Sequence, residues 1–546
     1  MNHERDHSDG LRPGRRCHRA PLLARGLCPL TASSTANSGI FVVTPQSQEA
    51  PASVLIIGAG PVGLTLAIEL ARFGIPVRIV EKAAERTDKS KAIVLWSRTL
   101  ELLDRQSGGA AAFVEAGFKV DAVGFTAHGK PVAHASVSSA QTPFPYALML
   151  PQSDTERLLE ERLATLGVKV DRQVEVVGLS FRDDGVDAVL QHADGRQETA
   201  SADWLAGCDG AHSIVRHTVG ATFAGKTLES DWVLADTHMT GYPVPDTQVT
   251  ISWHEDGVFV VFPMSPGRYR IIADLPASGA ERPPTPTLDD IQALIDRRGP
   301  AGMRAFDPVW LAGFRINGRK VSRYRWGRAF LCGDAAHVHS PAGGQGMNTG
   351  MQDAFNLAWK LALVSRGAAS DGLLDSFSSE RSAVGDQVLA AAERLTVIGT
   401  TKNPLLRLVR NTVAHFAFGV PGVEHTFAET LTELSVGYPE SPLNSGSSAG
   451  LDGPKPGQRM LAGPSFGTGE APRFALVAAA APPALSLLQR YPVLLETSLR
   501  EPPDPAGAWL VRPDGYVAAV APSDDLAAIE ACLAKVARPA MGDNAA

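Results

Sequence analysis

The chain has 546 residues, 44% apolar and 20% charged, an ordinary globular composition spread over more length than one core can hold. A formal net charge of −7 argues against nucleic acid or an anionic membrane surface as the main partner. The five cysteines (Cys17, Cys28, Cys208, Cys332, Cys532) show no C-x-x-C and no metal-ligand spacing, which predicts a reducing, cytoplasmic setting without metal or structural disulfides.

Residues 1–51 are rich in Arg, Ser and Pro, lack periodicity, and read as a disordered extension. Glu4, Asp6 and Asp9 argue against a transit peptide there. The run Ser53 to Ile57 then reads as a strand buried on both faces. Pro61 to Phe73 has helical spacing, closed by Gly74, and Pro76 to Val80 is a second buried strand. Gly58, Gly60 and Gly63 therefore fall in a strand-to-helix turn, with Pro61 and Val62 opening the helix. Backbone N–H groups there can face a pyrophosphate. Glu81, with Lys82 beside it, ends the second strand where a carboxylate can hold ribose hydroxyls.

Ile93 to Leu103 continues with helical periodicity, and Gln152 to Leu166 is a stronger amphipathic helix. Short strands follow at Val168–Val170, Val174–Phe181 and Val186–His192, then a buried one at Trp204–Gly207. After it, Asp209-Gly210 reads by itself as a turn. From Asp231 to Leu275, longer strand-like runs imply an antiparallel sheet inserted into the nucleotide domain. Arg328 to Gly333 returns to the buried-strand signature. Asp334 then stands just past a strand end, before a Gly-rich loop and a long helix at Gly346 to Ser365. A carboxylate there can bind a sugar-alcohol hydroxyl, and the helix N-terminus can hold partial negative charge. Residues 441–455 read as a linker, and a last unit of strands and a closing helix occupies 456–546. No apolar stretch near the C-terminus is long enough to span a bilayer.

In order and spacing, the Gly58–Gly63, Asp209-Gly210 and Gly333–Asn348 motifs resemble the class A flavoprotein monooxygenases, the aromatic-ring hydroxylases typified by para-hydroxybenzoate hydroxylase. The nearest likeness is to the subgroup acting on phenols, polyketides and antibiotics. The resemblance implies an α/β fold: a Rossmann-like FAD-binding domain (52–220 and 321–440), an inserted antiparallel-sheet substrate domain (221–320) and a small thioredoxin-like C-terminal domain. That last domain lacks a C-x-x-C, so a structural or dimerisation role is implied for it. Position by position, Gly58, Gly60 and Gly63 would cradle the FAD pyrophosphate, and Glu81 the adenosine ribose. Lys91 occupies a place often held by Arg, keeping charge but losing bidentate geometry. Gln152 matches a glutamine that touches FAD, and Asp209 an aspartate associated with FAD and NAD(P)H. Gly333 and Asp334 match the ribityl site. Pro341, Gly343, Gly344, Gly346, Met347 and Asn348 would line the isoalloxazine ring.

The implied activity is hydroxylation of an aromatic, phenolic or polyketide-like substrate by O₂ and NADPH or NADH, through a flavin C4a-hydroperoxide. The same fold also serves epoxidation, Baeyer–Villiger insertion, antibiotic-inactivating oxygenation or FAD-dependent reduction. Both monomers and homodimers occur in the family. The segment Val258 to Met264 is apolar where hydroxybenzoate hydroxylase offers an arginine to a carboxylate, so a larger, mostly apolar aromatic suits it better. Phe259, Phe262 and Met264 are the candidate substrate contacts, with packing between sheets as the other reading. No general base is assigned. His337 is the one weak candidate for direct catalysis, His254 a weaker one, and Arg216 reads as a phosphate or salt-bridge partner.

Overall fold

The computed structural model, which describes residues 52–418, 420–461 and 465–538, places the glycine-rich turn where a parallel sheet meets its first helix. The extension at 1–51 lies outside the described residues. Strand β1 (Ala52–Ile57) leads into helix α1 (Pro61–Arg72) and strand β2 (Val77–Glu81). Helix α2 (Gln152–Thr165), β3 (Val170–Arg172) and β4 (Gln197–Gly207) follow. Together with Ala329–Leu331 these strands run parallel in the spatial order Ala329–Leu331, β4, β1, β2, β3. Val54, Leu55 and Ile56 are fully buried, as a strand covered on both faces requires.

The second sheet contains β5 (Ala224–Thr240), β6 (Gln248–His254), β7 (Gly257–Ser265), β8 (Arg268–Leu275) and β9 (Arg304–Lys320), ordered β9, β5, β8, β7, β6. It differs from the sequence expectation in one respect. The hairpin Ala122–Ala127 and Lys130–Ser136, from the segment assigned to the nucleotide domain, extends its far edge, and Ala122–Ala127 pairs with β6 in parallel. That pairing spans more than a hundred residues of sequence, and local periodicity carries no trace of it. Helix α3 (Leu288–Arg298) covers one face, packing Ile291 and Ile295 against Phe259, Val261 and Ile271.

Long α4 (Gly346–Ser365) returns beneath the parallel sheet against α1. Helices α5 (Asp375–Thr400), α6 (Pro404–Ala417) and α7 (Pro421–Leu431) lead away from it. The C-terminal unit is a four-stranded sheet of β10 (Ser445–Gly446), β11 (Ala475–Val477), β12 (Gly507–Val511) and β13 (Val517–Pro522), in the order β10, β13, β12, β11. Helices α8 (Pro482–Arg490) and α9 (Ala527–Val536) accompany it. Because β10 pairs with β13, the stretch 441–455 is an edge of this sheet rather than a free linker.

The helical run expected at Ile93 to Leu103 is also split. Val94–Leu95 is a strand and the helix begins at Ser97. The cause is distant: the Asn348 side chain accepts from the Trp96 N–H (2.8 Å) and donates to the Val94 carbonyl (2.9 Å), holding this backbone extended. Cys208, Cys332 and Cys532 are free thiols. Among the described residues no helix is long and apolar enough to cross a membrane.

Candidate active site

At the end of β1 the chain turns through Gly58 at φ +98°, where a Cβ would lie 2.4 Å from the Cys208 carbonyl oxygen. A Cβ on Gly63 would lie 2.0 Å from the Gly58 oxygen, so only glycine lets α1 seat against the turn. Gly60 is different: a Cβ there meets nothing within 4 Å, and its backbone faces open space at the start of α1. Two of these glycines serve the protein's own packing, and the third leaves room for a ligand's phosphates at a helix N-terminus. Pro61 is the first residue of α1, and half-buried Val62 packs over Gly333 and Gly350.

Four carboxylates and amides surround this groove. Glu81 accepts from the N–H groups of Ala59 and Ala83, each at 2.9 Å, which fixes its carboxylate beneath the turn. Asp209 accepts from the Ile214 N–H (2.7 Å) with one oxygen, while its other oxygen is buried without a partner. Asp334 opens onto the groove yet sits on a floor crowded by protein, and makes no side-chain hydrogen bond or ion pair among the described residues. Burial raises the Asp209 carboxyl from its ordinary value, and the protein packed beneath exposed Asp334 raises that one too, against the pull of nearby His337 and Lys91. Exposed Lys91 therefore shares its surroundings with Asp334, and Lys82 is exposed at the rim. Gln152 braces the Ser90–Ala92 loop, its N–H bonded to Ser90 Oγ (2.6 Å) and its Oε1 taking the Ala92 N–H (3.2 Å).

The loop after Asp334 is shaped for a planar ring. Gly343 and Gly344 adopt φ +89° and +64°, and the Trp96 indole donates to the Gly343 carbonyl (2.9 Å). Gly346, Met347 and Asn348 form the first turn of α4, whose backbone N–H groups have no partner within the helix. Asn348 contributes backbone only, because its side chain is fully engaged with Trp96, Val94 and Gly344. These observations fit a flavin dinucleotide: open space at Gly60, unpartnered acceptors on Asp209 and Asp334, and free amides beside the loop.

His337 is 1% exposed, with Nε2 2.9 Å from Asp353, which also binds Arg381 (2.6 Å) and the Gly333 N–H (3.0 Å). Its ring is a brace under the loop and is not part of the cavity wall. His339 beside it is lowered to about 4 by burial and by His337, so it is neutral. His254 pairs with Asp256 (3.1 Å) at the β6–β7 turn, away from the wall. Arg216 neither binds a carboxylate nor faces solvent: it donates to the carbonyls of Ala335 (3.1 Å) and Ala211 (2.6 Å), tying the two aspartate loops together. Sequence reasoning missed a second such tie. Arg270 is buried, pairs with Asp236 (2.5 and 2.7 Å), and donates to the carbonyls of Ser90 and Lys91, anchoring the groove to the second sheet.

Against the Ser340–Gly344 loop opens a cavity of about 1170 Å³, the solvent at its mouth included. Val258, Val260 and Phe262 of β7 line it together with Trp232, Trp253 and Met149. Strand alternation corrects one expectation: Phe259 points to the opposite face and packs under α3, fully buried. Met264 is buried in the cluster that backs the cavity, with Trp232 and Trp253, without lining the cavity itself. Residues with no local signal complete the wall, among them Phe125 from the hairpin, Leu395, Thr396 and Ile398 from α5, and Phe427 and Leu431 from α7. Leu395 and Ile398 are also exposed (40% and 45%), which marks the mouth. Among the described residues, none in the wall is ionisable.

The profile of a family described as FAD binding domain matches residues 51–392. The chain is 34% identical over 516 residues to the 6-methylpretetramide 4-monooxygenase of Streptomyces rimosus, covering 87% of this chain and 91% of that one. It is 35% identical over 387 residues to a rifampicin monooxygenase of Streptomyces venezuelae, covering 70% and 79%. Among solved structures, the anhydrotetracycline hydroxylase from Streptomyces rimosus matches with a TM-score of 0.73 at 30% identity, over 90% of this chain and all of that one.

Proposed function

The chain belongs to the FAD-binding-domain family of flavin-dependent monooxygenases, and from that premise we propose that it hydroxylates a large, uncharged, phenol-bearing aromatic of the polyketide kind. The enzyme is an FAD-dependent monooxygenase that consumes NAD(P)H: its family is described as an FAD binding domain, and its relatives are named monooxygenases. The observation that carries the substrate class is the cavity wall, which is wide, apolar and free of ionisable groups where it meets the flavin loop.

When bound, FAD takes electrons from NAD(P)H and supplies an activated oxygen atom from O₂ to the ring. The residues of this chain do the rest. The Gly58–Gly63 turn and the N-terminus of α1 would hold the pyrophosphate, Glu81 the adenosine ribose, and Asp209 and Asp334 hydroxyls along the chain between. The amides of Gly346, Met347 and Asn348 would meet negative charge on the ring's polar edge. The apolar wall orients the substrate and keeps water from the reacting carbon. A carboxylate would be buried in it without a partner, at a cost of several kcal/mol. Among the described residues, the wall holds no side chain able to take a phenolic proton, so that proton leaves through solvent at the mouth.

The test is NADPH and NADH oxidation by the FAD-loaded protein with H₂O₂ and product followed together. Tricyclic and tetracyclic phenols should accelerate oxidation and emerge with one added oxygen, while 4-hydroxybenzoate should do neither. Coupled turnover of 4-hydroxybenzoate would overturn the substrate assignment.

A further inference from the structure

Among the described residues, the only side-chain hydroxyls in the cavity wall belong to Ser340 and Thr396, 5% and 6% exposed. Each hydroxyl has one proton to give. Thr396 gives its proton to the Ala392 carbonyl one turn back along α5, at 2.7 Å. The 2.8 Å contact between Ser340 Oγ and Thr396 Oγ1 must then run from Ser340 to Thr396, which commits the Ser340 proton as well. The Ala342 N–H donates to Ser340 Oγ at 3.2 Å. With both protons committed, each oxygen keeps one lone pair, and the pair can accept a hydrogen bond but not give one.

This pair stands at the first residue of the loop that carries Pro341, Gly343 and Gly344, where the cavity meets the flavin site. We propose that Ser340, oriented by Thr396, accepts the hydrogen bond of a substrate phenol and so positions the hydroxyl-bearing ring against the flavin loop. The site thereby selects phenols over their ethers. The inference rests on the reading that the cavity takes a neutral aromatic. Ser340 is a recognition residue: it accepts a hydrogen bond, and the relay from it ends at the Ala392 carbonyl, so it conducts no proton away.

The test uses the full chain loaded with FAD, titrated with 2-naphthol and with 2-methoxynaphthalene and read by the shift in flavin absorbance. Wild type should bind the phenol about tenfold more tightly, the weight of one hydrogen bond in an apolar wall. Ser340→Ala should bring the two within about twofold. Thr396→Val frees the Ser340 proton to point at the ligand, so the ratio should move toward the ether, which can accept it. A purely structural role for the pair would lower both affinities together and leave the ratio alone. Equal binding of both compounds by wild type, or a wild-type ratio retained in both variants, would overturn the proposal. A flavin spectrum unmoved by either compound would instead bring down the aromatic reading beneath it, and this inference with it.

Discussion

Helix α5 carries two regions of opposite chemistry. Near its start, Glu380 is buried with Lys360, Arg512 and Asp514 in a knot of charge where α4, α5 and the C-terminal sheet meet. Near its end, Leu395, Thr396 and Ile398 face a cavity with no ionisable wall residue among those described. The difference lies in what completes each region. Glu380 takes hydrogen bonds from Asn356 (2.8 Å), Lys360 (2.7 Å), Ser441 (2.5 Å) and Arg512 (2.7 and 3.0 Å), so its charge is satisfied by the protein alone. On the proposed reading the cavity is completed by a substrate that comes and goes, and a charge in its wall would be stranded each time.

Removing one member of the knot should produce the largest effect. Glu380→Ala strips buried Lys360 of its carboxylate and leaves Arg512 with Asp514 alone, and should cost about 5 kcal/mol, seen as an early transition in urea unfolding. Burial of Lys360 already lowers it to about 8, against the pull of Glu380, so losing that carboxylate should deprotonate it at neutral pH. Unchanged stability in Glu380→Ala would mean that the knot's charges are not matched as described.

Next in size is a contrast within β7. Phe259 and Phe262 lie three residues apart on opposite faces, one in the packed core under α3 and one in the cavity wall. Phe259→Ala should lose about 3–4 kcal/mol of stability and leave ligand affinity nearly intact. Phe262→Ala should do the reverse, keeping the unfolding midpoint and weakening aromatic binding about tenfold. The same loss from both would show that the wall is ordinary core.

The pair also marks how far sequence reading reaches. The βαβ unit, its three glycines and Glu81, and the place of Asp334 past a strand end, were legible because strand and helix periodicity and fixed spacing are local properties. The roles given to Asp209 and the loop after Asp334 came instead from the family resemblance, Asp209-Gly210 reading by itself only as a turn. The strand at Val258 to Met264 was legible too, but period-2 alternation says that two faces exist without saying which one meets a ligand. Phe259 and Phe262 could be separated only once α3 was seen on one side. The wall residues Phe125, Thr396 and Phe427 come from three distant segments, and their meeting is tertiary. Arg512-Pro513-Asp514-Gly515 reads as a turn between strands and is one. That it inserts two charged side chains into the α4–α5 seam depends on docking no local pattern encodes.

Glu433 falls between the two regions of the comparison. It is 1% exposed and receives hydrogen bonds from Thr349 (3.0 Å) and Gln352 (2.5 Å), with no cation bonded to it. Burial therefore wins and pushes its carboxyl from 4.5 up to about 8, where Glu380 with two bound cations is held far below the ordinary range. The folded state then holds a proton that the unfolded chain releases. This stability is fully present below pH 4.5 and is lost as pH rises through 8, at up to about 1.4 kcal/mol per pH unit. Melting of wild type and Glu433→Gln at pH 5, 6, 7 and 8 should show a difference that grows with pH in favour of the amide. Parallel curves would mean Glu433 is ionised and paired in the fold.

The groove at Gly60 is a third case, polar groups left unmatched by the protein because a cofactor is to match them, and it gives the smallest predicted effect. Gly60→Ala adds a methyl that meets no protein atom within 4 Å, so folding and melting of the FAD-free protein should be unchanged. The same methyl narrows the approach to the pyrophosphate, and FAD affinity should fall about tenfold, or about 1.4 kcal/mol, by fluorescence titration. Gly63→Ala is the control that separates packing from binding. Its methyl would overlap the Gly58 carbonyl at 2.0 Å, so it should destabilise the chain whether or not FAD is present. If Gly60→Ala also destabilised the FAD-free chain, the space before α1 would belong to the protein's own packing, and the groove would join the knot as a region the chain completes by itself.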